Sequence, residues 1–304
     1  MTAISDSGAQ QLFGPWETVI ESWSDFQSQA NELTMRYPER ALVWRGARRA
    51  EWGVMSSLYR ALFEILRQPP TEDQMNEAEV RILDRARHDW RFDGMPALET
   101  MAHLQHFGGP TRLLDVTVNP LIALWFAVEG REDDDGTDAR LLAFVASSPV
   151  HLNRNWHGYH LHWHELDSRS KRLQAKWGTG LGRRLWMPPA FNSRISSQNA
   201  GFLIDGVPID APESGIGRLA PEIEASWTAE EMCHLSSIPL KVTQIRRGEL
   251  PASHAPVFTF RIAADAKILI REQLEKRYGY RASSIYSDMS GLAENLRLDP
   301  QSLL

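Results

Sequence analysis

Residues 103–129, HLQHFGGPTRLLDVTVNPLIALWFAVE, constrain the fold most, because they set His106, Arg112, Asp115 and Thr117 against a long apolar segment. Leu113, Leu114, Leu121, Ile122, Leu124, Trp125, Phe126 and Val128 demand burial. A carboxylate or guanidinium drawn in with them is costly unless it is paired and hydrogen-bonded. Arg112 and Asp115 are the expected partners within this stretch. Asn119 before Pro120 reads as an N-cap followed by proline at the first helical position, so residues 121–129 are expected as a helix. The positive end of that helix faces the Asp115–Thr117 turn, a polar spot against a hydrophobic wall.

The rest of the chain reads as a mixed α+β domain. Residues 16–37, 71–88, 97–107 and 264–278 carry helical patterning, with Glu72 and Asp73 in the first turn of the second. Residues 42–46 end in Trp44-Arg45-Gly46 and look like a strand, as do 139–146, 237–244 and 256–262. Helices come first and strands return later, which argues for an N-terminal helical part and a later antiparallel or mixed sheet rather than regular βαβ alternation. Residues 1–14 are expected as a disordered tail, and the Pro- and Gly-rich residues 206–221 as a loop.

At 304 residues and 42% hydrophobic, the chain can bury a sizeable core. No apolar run is long enough for a transmembrane helix, and the N-terminal residues lack the order of a secretion signal. A lone cysteine, Cys233, fits a reducing cytoplasm, the expected location. A net charge of -6 argues against wholesale coating of nucleic acid but allows local basic patches at Arg45, Arg48, Arg49 and Arg60, and at Lys171, Arg172, Lys176, Arg183 and Arg184.

Five of the ten histidines, His151, His157, His160, His162 and His164, fall among aromatic residues in one segment. On a strand, His160, His162 and His164 would share a face and approach a metal. No nearby cysteine completes a zinc pattern, so the expectation is no metal site.

Several motifs resemble those of the FRG-domain proteins, named for an aromatic-Arg-Gly signature. They are Val43-Trp44-Arg45-Gly46, Ser57-Leu58-Tyr59-Arg60, Gln105-His106-Phe107-Gly108 and Pro110-Thr111-Arg112-Leu113-Leu114-Asp115-Val116-Thr117. Residues 189–202 are similar to the family's Arg-Ile-x-x-Gln-x-Gly-x-Phe strand, with Asn199 and Ala200 separating Gln198 from Gly201. Residues 284–296 resemble its terminal element, which contains Asp288. The resemblance implies an FRG domain over residues 15–304, with the His/Trp-rich part around 150–190 as an insertion.

The strand-borne aromatic-Arg-Gly also resembles the first signature of the ADP-ribosyltransferases, and this implies an ADP-ribosyltransferase-like fold with NAD as the cofactor. On that reading Arg45 grips the pyrophosphate as a bidentate fork, Gly46 lets the ligand approach, and Trp44, Tyr59 or Phe107 stacks on nicotinamide or adenine. Arg112, Asp115, Thr117 and Arg194 complete the cofactor side, while His106, Gln198 and Asp288 are the catalytic candidates. Gln198 stands where those enzymes commonly carry a carboxylate; Glu222, Glu224 and Asp288 are substitutes without supporting spacing.

Each residue also has a bland role. Arg45 could end a strand and pair with Asp115, Arg112 could lock the turn, His106 could be a satisfied core imidazole, and Asp288 a turn or cap residue. Two functions follow. One is an NAD-dependent ADP-ribosyltransferase-like enzyme acting on a protein or nucleic-acid acceptor, as a bacterial toxin or phage-defence effector. The other is a non-catalytic module that binds a nucleotide-like, phosphate-bearing ligand or a protein partner.

Overall fold

The computed structural model describes residues 6–131, 133–146, 158–189, 193–210, 227–245 and 255–298. The helices among them are α1 (Asp6–Phe13), α2 (Trp23–Arg36), α3 (Ser57–Leu66), α4 (Glu72–His88), α5 (Ala97–His106), α6 (Pro120–Val128), α7 (Arg169–Gln174), α8 (Ser193–Ser197), α9 (Ala229–Cys233), α10 (Ala264–Tyr278), α11 (Ala282–Ile285) and α12 (Met289–Leu298). The strands are β1 (Thr18–Ile20), β2 (Ala41–Ala47), β3 (Leu114–Thr117), β4 (Ala139–Ala146), β5 (Arg184–Trp186), β6 (Ala200–Ile204), β7 (Lys241–Val242) and β8 (Pro256–Ile262). The expected α+β domain with a mixed sheet is what forms.

The sheet runs β1-β8-β4-β2-β3-β6-β5, and β7 pairs with the start of β8. Its centre is β4, ARLLAFVA, buried at every residue. Such a run suits a strand covered on both faces. One face carries Val43, Leu142 and Phe144 against α1, α9 and the segment leading into β7. The other carries Trp44, Leu141 and Val145 against α2, α6 and α10. Helix α6 supplies Ile122, Leu124 and Val128 to that core, each worth about 1.5–3 kcal/mol when fully buried.

Asn119 caps α6, its Oδ1 accepting from the Leu121 amide at 2.9 Å, with Pro120 at the first helical position. Helix α6 then packs closely on β2: a Cβ built on Gly46 would stand 2.0 Å from the Ala123 carbonyl oxygen and 2.7 Å from the Ala127 nitrogen. Only glycine fits there without moving backbone.

Three expectations are corrected. Residues 6–13, read as disordered tail, form α1, and Ala9, Leu12 and Phe13 are buried. Residues 16–37 are not one helix: the β-branched Thr18-Val19-Ile20 run pairs in parallel with Phe260–Ile262, and α2 starts only after the Ser22 cap. Residues 237–244 shrink to the two residues of β7, because the Ser237 amide turns aside to the Val54 carbonyl. The predicted loop at 206–221 lies partly outside the described residues.

Candidate functional site

Strands β2 and β3 pair at a single register position, Trp44 with Thr117. Beyond it they part, and Arg45 bridges the gap: its Nη1 donates to the Asp115 carbonyl at 2.7 Å, replacing a lost ladder bond. The gap opens into a cleft of about 1090 Å³ that takes walls from β2, α3, α5, β3, α8 and Tyr286. Arg45, His106, Asp115, Thr117, Arg194 and Gln198, drawn from separate parts of the chain, all line it.

Seven arginines and four carboxylates line the cleft, so its walls are net positive. Four of the arginines are neutralised locally. Arg48 pairs with Glu129 and Asp134, Arg49 with Asp134 and Glu51, Arg140 with Glu17, and Arg194 with Asp288. Arg45, Arg60 and Arg67 make no ion pair among the described residues. Arg45 is half-buried; burial lowers its pKa, the nearby Arg60 charge adds to the lowering, and Asp115 opposes it. It stays a cation at neutral pH.

Arg194 is held by Asp288, whose Oδ1 accepts from Arg194 Nη2 at 3.1 Å and from the Gly291 amide at 2.7 Å. Its Oδ2 lies 3.2 Å from His106 Nε2. The Arg194 guanidinium lies over the Tyr286 ring, 5.0 Å from its centroid. Burial and the Arg194 charge lower the His106 pKa while Asp288 raises it, and the net shift is downward. The shift favours the neutral imidazole. Asp288 does not line the cleft; it holds His106 and Arg194 in place.

Asp115 is exposed, and its Oδ2 accepts from Gln105 Nε2 at 3.0 Å. Gln105 in turn is fixed by the Leu113 carbonyl at 3.2 Å and by Thr111 Oγ1. Thr117 spends its hydroxyl on the turn, donating to the Gln198 carbonyl at 2.7 Å and accepting from the Asn119 amide at 3.0 Å. Gln198 Nε2 donates to the Ile285 carbonyl at 3.1 Å. The expected strand at residues 194–202 starts only at Ala200: Arg194 lies in α8, and the inserted Asn199, at φ 44°, turns the chain into β6.

Three expected site residues stand elsewhere or face differently. Arg112 does not pair with Asp115. It is buried between Glu72 and Glu79 of α4, with Nη1 to Glu72 Oε1 at 2.7 Å and Nε to Glu79 Oε1 at 2.9 Å. Trp163 and Trp177 also donate to those two carboxylates. Tyr59 is buried away from the cleft, its hydroxyl bonded to the Cys233 carbonyl at 2.8 Å. Trp44 turns its ring into the core against Phe260. Gly46 lines the cleft, and its missing side chain admits the close approach of α6.

The histidine segment is not a strand where it is described. His162–Glu165 is a 3-10 turn, and His164 Nε2 reaches Glu79 Oε2 at 3.1 Å. Among the described residues no group of His, Cys, Asp or Glu is arranged to hold a metal; His151 and His157 lie outside them. The second basic group is partly paired and partly buried: Lys171 pairs with Asp167, Arg172 pairs with Asp73, and Arg183 is buried.

Residues 40–136 match the family of the FRG domain. The chain contains an FRG domain. The match runs from the residue before β2 to the turn before β4, so the FRG domain holds Arg45, Arg60, His106 and Asp115, whereas Arg194, Gln198 and Tyr286 reach the cleft from outside the matched span. No curated protein and no solved structure matches the chain. No helix among the described residues is long and apolar enough to cross a membrane. Sequence reading did not place Arg60 and Gln105 in the cleft, although both stand in motifs it singled out, Ser57-Leu58-Tyr59-Arg60 and Gln105-His106-Phe107-Gly108.

Proposed function

We propose that the FRG-domain cleft binds a phosphate-bearing, nucleotide-like ligand. The observation that carries the reading is Arg45, a guanidinium held by one main-chain bond and in no ion pair among the described residues, lining a cleft where Arg48, Arg49, Arg140 and Arg194 are each paired with a carboxylate. A guanidinium so placed keeps N–H groups for phosphate oxygens in a fork that lysine cannot reproduce. A volume of about 1090 Å³ suits a dinucleotide, near the upper end of typical ligand pockets.

A specific feature favours a catalytic version of this reading, transfer of ADP-ribose from NAD to a protein or nucleic-acid acceptor, as in a toxin or phage-defence effector. Asp115 presents a carboxylate at the same cleft, its Oδ2 fixed by Gln105. It can orient a ribose hydroxyl or an acceptor, the part that Gln198 lacks a carboxylate to play. His106, which lines the same cleft and whose pKa is lowered by burial, is the group able to take a proton from an acceptor. The fit to NAD is partial on the stacking side. Trp44 and Tyr59 are buried; of the other aromatic residues that line the cleft, Trp52 and Tyr286 lie beside Arg48 and Arg194, and Phe63, Phe126 and Phe202 complete the set.

The test incubates purified protein with NAD and a pool of cellular protein and nucleic acid, and measures released nicotinamide by mass spectrometry. Release that disappears in Asp115→Asn and Arg45→Lys supports transfer. NAD binding without release leaves the binding module, and absence of any nucleotide binding ends the proposal.

A further inference from the structure

Arg60 is the arginine of the basic cluster whose availability only the fold decides. It lies in the first turn of α3, and its Nη1 donates to the Met55 carbonyl at 2.7 Å. Glu64, one turn further along α3, is its natural partner by spacing, yet no ion pair joins them among the described residues, and both line the cleft. Arg45 shares this arrangement: one Nη1 bond to a backbone carbonyl, also at 2.7 Å, and no acidic partner. The neighbouring Arg48 and Arg49 are taken up by Asp134, Glu129 and Glu51.

Two guanidiniums line one cleft with no ion pair at either among the described residues, although the Asp115 charge offsets that of Arg45. The lowering of the Arg45 pKa by the Arg60 charge reports that proximity. A fold tolerates such a pair where an anion of more than one charge bridges it, because each guanidinium then gains charge-assisted bonds and the repulsion is cancelled. The main-chain anchors matter as well. By fixing Nη1 of each side chain, the Asp115 and Met55 carbonyls hold the remaining N–H groups in position before any ligand arrives, which reduces the ordering cost of binding.

We infer that Arg45 and Arg60 form a two-guanidinium clamp for the diphosphate of a nucleoside diphosphate or dinucleotide. This rests on the reading of the cleft as a nucleotide site and adds which part of the ligand lies where: the diphosphate at the β2–α3 wall, the sugar toward Asp115 and Gln198.

The experiment measures binding of three probes, inorganic pyrophosphate, ADP and adenosine, by calorimetry and thermal shift, to the wild-type chain and to Arg60→Gln and Arg60→Lys. The clamp predicts that pyrophosphate and ADP bind the wild type and adenosine binds at least about tenfold more weakly. Arg60→Gln should lose at least about tenfold in affinity for both anions, while its own melting temperature without ligand stays level or rises as the repulsion is removed. Arg60→Lys should recover only part of the loss. ADP binding that is unchanged in both Arg60 variants overturns the clamp and leaves the nucleotide site standing. Adenosine binding as tight as ADP overturns the diphosphate assignment. Failure of the wild type to bind any of ADP, adenosine and pyrophosphate removes the clamp and the nucleotide reading together.

Discussion

Arg112 Nε lies 2.9 Å from Glu79 Oε1, and neither side chain reaches solvent. Glu72 closes the other side of the guanidinium at 2.7 Å, and Asn76 takes Nη2 at 2.8 Å. The cluster ties α4 to the segment entering β3, and so holds the β3 wall of the cleft from behind. Glu79 also accepts from Trp163 Nε1 at 2.8 Å, so the His/Trp-rich segment is locked to the same point.

Removing one member of this cluster strands a buried charge. Glu79→Ala should destabilise the chain by about 3–5 kcal/mol. Asp115→Ala, at an exposed position, should stay within about 0.5 kcal/mol. Urea unfolding of the two variants checks the contrast, and a larger loss for Asp115→Ala would put the buried partner of Arg112 in the wrong place.

Helix α6 was readable in advance because Asn119-Pro120 and the following apolar run are local signals, and β4 because eight residues form one uninterrupted buried strand. The partners of Arg112 were not readable. Glu72 and Glu79 lie 40 and 33 residues before it in sequence, and nothing in a local window distinguishes them from the other acids of α4. Asp115 was the nearest acid in sequence and the wrong one in space. The candidate site follows the same rule. Arg45 was marked by its own signature, whereas the freedom of Arg60 depends on Asp134, Glu129 and Glu51 capturing its neighbours, a matter of tertiary placement. Strand β1 was hidden because Thr18-Val19-Ile20, though β-branched, is too short a run to stand out beside the helical pattern that follows, and pairing with β8 completes it.

Gly46 separates packing from ligand binding. Because a Cβ there meets the Ala123 carbonyl oxygen at 2.0 Å, Gly46→Ala must push α6 off β2, at a cost of about 1–3 kcal/mol for overpacking. Thermal unfolding measures it. A stability equal to wild type would mean that β2 and α6 are not packed as described.

Asp205 gives the chain a pH dependence of its own. Its carboxylate is buried, Oδ1 accepts from the Gly178 and Gly206 amides at 2.8 Å each, and Oδ2 has no hydrogen-bond partner among the described residues. Burial pushes its pKa from 3.8 up to about 6, against the opposing amides and Arg183. Between these two values the folded chain holds a proton that the unfolded chain has released, so the contribution of Asp205 to stability falls as pH rises across that window. Asp205→Asn should therefore show less loss of stability than wild type between pH 4 and pH 6. Identical stability-versus-pH curves for the two proteins would show that Asp205 titrates normally.

The central claim is that Arg45 serves a ligand as well as the gap between β2 and β3. The most direct measurement is the dissociation constant of ADP for wild type and Arg45→Lys, determined side by side at one salt concentration, with circular dichroism confirming that both are folded. Loss of a charge-assisted hydrogen bond of roughly 1.5–3 kcal/mol predicts that Arg45→Lys binds ADP about tenfold to a hundredfold more weakly. Equal affinity in the two folded proteins would contradict the account and leave Arg45 only its bond to the Asp115 carbonyl.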